Sequence, residues 1–342
     1  MKMIRVVAVS LLAAAAALPA LSQAHWNVTR TLHIGGEGGW DYVTVDSAGH
    51  RLFVTRTTHT QVIDSISGRV LADIPGQLRS HGVAIVPAVN RGFITDGGGS
   101  GAIVVFDLRT YAVLGRLATM PDSDGIIYDP GANLVLAVSG DGNKLMTFRP
   151  DIDPGAGKVD AIDLGGAPEF LAADGRGRVF VNLVDKDLVA VVDLRARKVT
   201  ARWPVAPGGH PVGLAFDART HRLFIGCRNP QKLIVMNAED GKVVADLPIG
   251  AGVDATKLDG AQAFASCRDG SLTVAGERSG KFVVDQVVQT APGARTMGID
   301  EQRHIAYLPT AEYENPADGS SRRPQMKPDS FMIVEVARSG SE

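Results

Sequence analysis

The sequence predicts an all-β fold, a seven-bladed β-propeller with four-stranded blades. The main observation is a short phrase, usually a polar residue followed by apolar strand formers, which recurs at spacings near the ~40 residues of one blade. Its seven copies begin at Arg51, Arg91, Asn133, Arg178, Arg222, Gln262 and His304. Short runs rich in Val, Ile, Leu and Phe surround each copy, and turn signals such as Asp240-Gly241 separate them. The 39 Gly and 18 Pro agree with many turns.

The fifth copy shows the order of strands within one predicted blade. We assign strand a to Val212–Phe216, strand b to Arg222–Gly226, strand c to Lys232–Asn237 and strand d to Lys242–Leu247. Each run has the length and composition of a β-strand, and helical spacing of apolar residues is absent. The same order fits the other copies, which supports one repeat per blade.

The last blade lacks a fourth strand at its own end of the chain. Its strand c is predicted at Phe331–Val336, and the chain stops soon afterwards. Val28–Ile34, followed by Gly35-Gly36, has the pattern of a strand d. We therefore expect the N-terminal segment to complete the last blade, which would close the ring and remove an open sheet edge.

The first residues have the features of a secretory signal peptide. A basic start, Met1–Arg5, precedes an apolar run, Val6–Leu21, and Ser22-Gln23-Ala24 resembles a cleavage site. We expect removal of residues 1–24, a single propeller domain over 25–342, and a periplasmic or secreted location. Because no second apolar run approaches the roughly 20 residues that span a bilayer, no transmembrane segment is expected.

Charge and cysteine content exclude some classes of function. The net charge is -2, and Lys and Arg occur in nothing longer than pairs, which argues against a nucleic-acid partner. Only two cysteines occur, so disulfides do not form the framework of the fold. Cys227 and Cys267 take matching positions at the ends of strand b in adjacent blades, where they form either two buried thiols or one disulfide.

Several phrases also resemble a known repeat family. Leu52-Phe53-Val54-Thr55, Val62-Ile63-Asp64-Ser65 and Val179-Phe180-Val181-Asn182 resemble the YVTN repeat of YncE-like propellers. The resemblance covers nearly all of the chain after residue 24 and implies the propeller fold. It implies no single activity, because related propeller families include binding modules, lactonases, lyases and dehydrogenases. The Asn-Pro common before strand a is replaced here, for example by His210-Pro211 in blade five.

Candidate site residues emerge when strand a is aligned across the blades. In a propeller this strand is innermost, so its first residues reach the mouth of the central channel. The aligned residues, six of them polar or charged, are Asp41, His81, Asp124, Glu169, Val212, Asp254 and Arg295. Blade five has Val212 at this position but carries His210 in the preceding loop. We expect the six polar residues and His210 to form a ligand-binding ring.

This ring would place four carboxylates in a small space. Because like charges repel, either the pKa of some of these carboxyl groups is raised, or the carboxylates pair with Arg295 and the histidines, or they bind a cation. A divalent metal ion held by Asp124, Glu169 and Asp254 is one candidate; the cofactor is otherwise unknown. The alternative is that the ring forms salt bridges between blades in a water-filled channel.

Two classes of function fit these observations. The first is a binding module that takes a small molecule or a partner protein at the channel face. The second is a metal-dependent hydrolase, lactonase or lyase at the channel mouth, in which His81 or His210 moves protons. Loops between strands b and c would add a second layer around either site, including Arg56, Asp96, Asp185, Arg228 and Asp269. The long loop Glu314–Asp329 would either be a disordered extension or cover the mouth as a lid.

Overall fold

Seven antiparallel sheets of four strands surround a central channel. They are seen in a computed structural model that describes residues 25–314 and 325–339. The innermost strands of neighbouring blades contact one another around the whole ring, including the first and last blades. The predicted seven-bladed propeller is therefore confirmed. Strands are named a to d from the channel outward, and a 3-10 helix, Pro87–Val89, lies in blade two.

The inner two strands of the blades have similar lengths, except for the short strand a of blades one and seven. Strands a are Val43–Asp46, Ser80–Val86, Ser123–Asp129, Pro168–Ala173, Pro211–Asp217, Val253–Asp259 and Gly298–Asp300. Strands b are Arg51–Thr55, Arg91–Asp96, Leu134–Ser139, Arg178–Leu183, Arg222–Arg228, Gln262–Cys267 and Ile305–Thr310. Each strand b contains the last three residues of the recurrent phrase found in the sequence.

The outer two strands follow in the same order along the chain, apart from the last blade. Strands c are Thr60–Asp64, Ala102–Asp107, Lys144–Phe148, Leu188–Asp193, Gln231–Asn237, Ser271–Arg278 and Met332–Arg338. Strands d are Val70–Ile74, Val113–Ala118, Asp160–Asp163, Lys198–Pro204, Val243–Pro248, Lys281–Gln289 and, for blade seven, Trp26–His33. A small hairpin pairs Tyr313–Glu314 with Gln325–Met326.

Strand b is apolar on both faces because each blade packs between two others. Leu52, Phe53 and Val54 of blade one are all fully buried. The outer strand behaves differently: along Lys198–Pro204, exposed residues alternate with partly buried ones, as expected where one face meets solvent. The core of the molecule therefore lies between blades, with one layer for each pair of neighbours.

The phenylalanine of the recurrent phrase joins one blade to the next. Phe53 of blade one lies 5.7 Å from Phe106 of blade two, measured between ring centroids. The equivalent Phe93 lies 5.3 Å from Phe148 of blade three. Tilted and edge-on aromatic pairs at such distances stabilise beyond their buried area alone. The repeat is therefore visible in the sequence because the same inter-blade contact recurs.

The N-terminal strand closes the ring, as predicted. Trp26–His33 pairs antiparallel with Met332–Arg338, and begins two residues before the predicted Val28. Trp26 is fully buried, and its ring centroid lies 4.7 Å from that of Phe264 in blade six. Its Nε1 donates a hydrogen bond of 2.9 Å to Oε1 of Gln262. This strand therefore ties blade six to blade seven as well as completing the last sheet.

A buried arginine organises the loop that leads from this strand into blade one. The guanidinium of Arg56 lies 3.7 Å from the ring centroid of Phe331 and donates 2.6 Å to Oε1 of Gln61. It also donates to five consecutive backbone carbonyls, those of residues 35–39. Positive φ angles at Gly35, Gly36 and Gly38 let the chain wrap around it. Burial lowers the pKa of Arg56 to about 10.

The two cysteines are separate thiols. Cys227 and Cys267 are both fully buried and free. Burial raises the pKa of each thiol to about 12, because an apolar site disfavours the thiolate. Of the two alternatives left by the sequence, the structure has the unbridged pair.

Candidate functional site at the channel mouth

The first residues of strand a meet at one end of the channel, in a space that we call the upper chamber. Its first group comes from blades one to three. Nδ1 of His81 lies 2.6 Å from Oδ2 of Asp41 and 3.5 Å from Oδ1 of Asp124. His81 is buried, and both carboxylates are partly buried. The structure thus brings together three of the residues predicted from the sequence.

The electrostatics of this group follow from its burial and its charges. Burial alone would lower the pKa of His81, but the hydrogen bond to Asp41 and the charges of both carboxylates raise it to about 8. Burial raises the pKa of Asp124 well above its ordinary value, and nearby acids add to this against the effect of His81. Two buried atoms, Nε2 of His81 and Oδ1 of Asp124, make no hydrogen bond within the described residues.

A second group lies on the side of blades five to seven. The guanidinium of Arg228 forms an ion pair with Oδ1 of Asp254, and its Nε donates 2.8 Å to the carbonyl of Val253. Nε of Arg295 lies 3.2 Å from Oδ2 of the same carboxylate. Asp254 is therefore neutralised by two cations. Arg228 is the last residue of strand b of blade five, whose own ring position, Val212, is buried and apolar.

His210 does not take the place in blade five that the sequence suggested. Its side chain is exposed, and it has a φ of 50°. Its backbone N–H donates 2.6 Å to Oδ1 of Asp187. Within the described residues, no hydrogen bond or ion pair joins its imidazole to the ring. Arg228 fills the gap because its long side chain extends from the end of the neighbouring strand b, which alignment of strand a alone does not reveal.

Glu169 lies between the two groups and has no close partner. Within the described residues its carboxylate makes no hydrogen bond or ion pair, and it is partly buried. Burial raises its pKa to about 7, with further increases from the charges of Asp254, Asp41 and Asp122, while Arg228 acts in the opposite direction. A positive charge that approaches such a carboxylate stabilises its ionised form.

Two aromatic rings form a floor beneath the upper chamber. Tyr42 of blade one and Phe170 of blade four have ring centroids 4.9 Å apart, so they meet across the channel. Each immediately follows a ring position, and the equivalent residues elsewhere are small: Gly82, Gly125, Gly213, Ala255 and Thr296. Burial raises the pKa of Tyr42 well above its ordinary value, and Asp124 and the other ring acids add to this.

This floor is not among the sites predicted above, although the sequence contains a signal for it. Two large aromatic residues stand in an aligned column that otherwise contains only Gly, Ala and Thr. Small residues at five positions leave the channel wide enough for two rings from opposite walls. The same alignment that gave the ring therefore gives the floor, once it is read one residue further.

Most acids of the predicted second layer hold loops in place rather than face the chamber. Asp96 is fully buried and accepts hydrogen bonds from the backbone N–H groups of Leu78 and Arg79, at 3.0 and 2.8 Å. Asp185 and Asp269 accept equivalent bonds of 2.8 and 2.6 Å in blades four and six. These acids fix the loops that precede strand a, and so set the height of the ring residues in the channel.

The metal ligands suggested by the sequence are not grouped as expected. Within the described residues, one set of three could hold an ion, with ligand atoms all within 4.8 Å of one another: Asp41, His81 and Asp124. Asp124 belongs to the predicted set, but Glu169 and Asp254 belong to no such group. Asp254 is instead bound by two guanidiniums, which leave little negative charge for a metal ion.

The predicted lid is described only in part. Its start and end form the hairpin of Tyr313–Glu314 with Gln325–Met326, while residues 315–324 lie outside the described residues. Tyr313 lies near the mouth, where it interacts electrostatically with Arg295. The predicted signal peptide, residues 1–24, also lies outside the described residues. Over 25–314 and 325–339, no helix is long and apolar enough to cross a membrane.

Solved structures of other proteins show the same architecture. The chain is similar to the hydrazine synthase of Kuenenia stuttgartiensis, with a TM-score of 0.70 and 12% identity over 91% of this chain and 98% of that one. It is also similar to the WD40 repeats of RRP9, with a TM-score of 0.76 and 11% identity over 92% and 100%. At such identities the likeness shows the propeller fold alone. No protein-family model and no curated protein matches the sequence, so the YVTN resemblance stays a prediction.

Proposed function

We propose that the protein is an exported binding module whose upper chamber binds a small organic cation, or a cationic side chain of a partner protein. The observation that carries the proposal is Glu169, a partly buried carboxylate without a close partner and with a pKa raised to about 7. A cation that pairs with it removes the unfavourable free energy of its isolated charge. No rearrangement of existing ion pairs is needed.

Two further features support a cation rather than an anion. Oδ1 of Asp124, in the neighbouring blade, makes no hydrogen bond within the described residues and provides a second acceptor. The floor of Tyr42 and Phe170 presents aromatic rings, and aromatic rings attract organic cations, quaternary ammonium groups in particular. The two arginines would attract an anion, but both are already bound to Asp254.

Calorimetry with tetramethylammonium tests this proposal, with tert-butanol as an uncharged molecule of similar shape. We expect the ammonium ion to bind and the alcohol to bind at least tenfold more weakly. Glu169→Gln keeps the size of the side chain and should weaken ammonium binding at least tenfold without lowering the melting temperature. Asp160→Asn, an exposed acid on an outer strand, is the matched control for loss of one negative charge. Equal binding of both molecules would contradict the proposal.

A metal-dependent hydrolase is the second candidate, and Asp41, His81 and Asp124 are the observation that favours it. Their three ligand atoms lie close enough to bind one divalent ion. We place it second because the short bond between Nδ1 of His81 and Oδ2 of Asp41 already engages these two atoms. Melting curves with Mg²⁺, Ca²⁺, Mn²⁺ and Zn²⁺, compared between the protein and Asp124→Asn, separate the candidates. A stabilisation that needs Asp124, with turnover of a lactone, would reverse this order.

Export is proposed from residues 1–24, whose basic and apolar segments are typical of a signal peptide. N-terminal sequencing of the protein from fractionated cells tests it. A periplasmic or secreted protein that begins at His25 is the expected result. A cytoplasmic protein that keeps Met1–Arg5 would contradict it.

A further inference from the structure

A second chamber lies in the channel on the other side of the floor. It has a volume of about 500 Å³ and is lined by the later residues of strand a from blades one, two, three, six and seven. Side chains of Val43, Val45, Ile85, Ile127, Leu258 and Ile299 supply the apolar part of its lining, and the rest of the lining is polar. Its volume falls within the range of about 300–1,000 Å³ that is common for small-molecule pockets. We call this space the lower chamber.

One cation lies in the lower chamber, at the amino group of Lys257. Lys257 follows the ring residue Asp254 by three positions, or about 10 Å along an extended strand. The residues at the same level in the other blades carry no charge: Thr44, Ala84, Ile127, Ala172, Ala215 and Gly298. The amino group therefore stands alone among uncharged channel walls. Its Nζ lies 5.7 Å from the ring centroid of Phe170, which belongs to the floor.

The charge of Lys257 lacks a close counter-ion. Within the described residues it forms no ion pair and no hydrogen bond. Burial lowers its pKa, and the charge of Glu301 opposes this without cancelling it. Glu301 is exposed at the rim of the chamber, and burial together with Asp259 raises its own pKa. A partly desolvated ammonium with its nearest opposing charge at the rim is stabilised by an anion that enters the chamber.

We propose that the lower chamber binds a small monocarboxylate with an apolar body. The carboxylate pairs with Nζ of Lys257 at the inner end, beside Phe170, and the hydrocarbon part lies along the apolar side chains of the lining towards the rim. Glu301 opposes an anionic ligand through its own negative charge. This site is distinct from the upper chamber because the floor of Tyr42 and Phe170 lies between them, and it prefers the opposite charge.

Calorimetry with octanoate, 1-octanol and octylamine tests the proposal, since the three probes share a chain and differ in charge. Octanoate is expected to bind at least tenfold more tightly than the other two. Lys257→Met should weaken octanoate binding at least tenfold, whereas Glu301→Gln should strengthen it by a factor of about two to five. Lys281→Met, an exposed lysine of the same blade, should have no effect. Glu169→Gln should also have none, which separates this site from the upper chamber.

A chemical readout tests the site without a substitution. Acetylation of lysines, followed by mass spectrometry, measures how accessible each amino group is. Octanoate should slow acetylation of Lys257 at least fivefold and leave that of Lys281 unchanged. The proposal is wrong if octanoate gives no protection, if octylamine binds as tightly as octanoate, or if no probe binds and the chamber holds water only.

Discussion

The rings of Tyr42 in blade one and Phe170 in blade four stack across the channel with centroids 4.9 Å apart. Other inter-blade aromatic pairs join neighbours, but this pair joins opposite walls of the ring. It divides the channel into an upper chamber with acids, imidazole and guanidinium groups and a lower chamber with one ammonium. One channel therefore holds two chambers of different chemistry. They are separated because two large side chains meet at a level where the other five blades have Gly, Ala or Thr.

Loss of this contact should destabilise the whole ring. Phe170→Ala removes a buried ring that touches a distant blade, and we expect the free energy of unfolding to fall by about 3 kcal/mol. Tyr42→Phe is the control, because it keeps the stacked ring and should change stability by less than about 1 kcal/mol. Urea denaturation measures both. Equal effects of the two substitutions would show that the stacking contributes nothing.

The N-terminal strand should contribute to stability through Trp26. This side chain is fully buried against Phe264, so Trp26→Ala should cost about 4 kcal/mol. Val28 lies on the same strand but is 44% exposed, and Val28→Ala should cost less than about 0.5 kcal/mol. Thermal melting of the two variants compares them directly. A normal melting curve for Trp26→Ala would contradict a closed ring.

Arg56 should be more important for stability than its position in a loop suggests. Arg56→Met leaves backbone carbonyls of the Gly-rich loop without donors, and we expect a loss of about 3 kcal/mol. Arg56→Lys keeps the charge but offers fewer donors in a different geometry, so it should give an intermediate loss. Arg109→Met changes an exposed arginine and serves as the control in the same denaturation experiment.

The fold was predictable because one contact repeats. The phenylalanine of strand b packs against the next blade again and again, so selection for that contact leaves a period in the sequence, as Phe53 and Phe93 show. Closure by the N-terminal strand was predictable for a similar reason, since a blade short of one strand needs a partner. The two-residue error at Trp26 arises because the end of a strand depends on side-chain packing rather than on pattern.

The candidate site was predictable only as far as it depends on strand a. Alignment gave Asp41, His81 and Asp124, which meet in the structure. It could not give Arg228, which reaches the ring from the end of strand b and pairs with Asp254. Contacts made by long side chains between blades have no fixed spacing in the sequence. For this reason the alignment suggested His210 for blade five and a metal set that the structure does not bring together.

The pair of His81 and Asp41 should make stability depend on pH. The pKa of His81 is about 8 in the folded protein and about 6.5 in an unfolded chain. Because the folded-state pKa is the higher one, protonated His81 contributes about 2 kcal/mol to the free energy of unfolding. This contribution is fully present below about pH 6.5 and is lost as the pH rises past 8. The difference in unfolding free energy between the protein and His81→Gln, followed from pH 5.5 to 9, measures this contribution. A difference that stays constant over this range would contradict it.

Ligand binding in the upper chamber should depend on pH in the opposite direction. Glu169 has a pKa of about 7, so at pH 6 it is mostly protonated and cannot pair with a cation, whereas at pH 8 it is mostly ionised. Affinity for tetramethylammonium, which does not itself titrate, should rise about tenfold between these values. Loss of the proton from His81 adds to the rise at its upper end. Glu169→Gln should remove the rise in affinity centred near pH 7 and keep the rise near pH 8. If the dependence of affinity on pH is unchanged by this substitution, Glu169 is not the binding carboxylate.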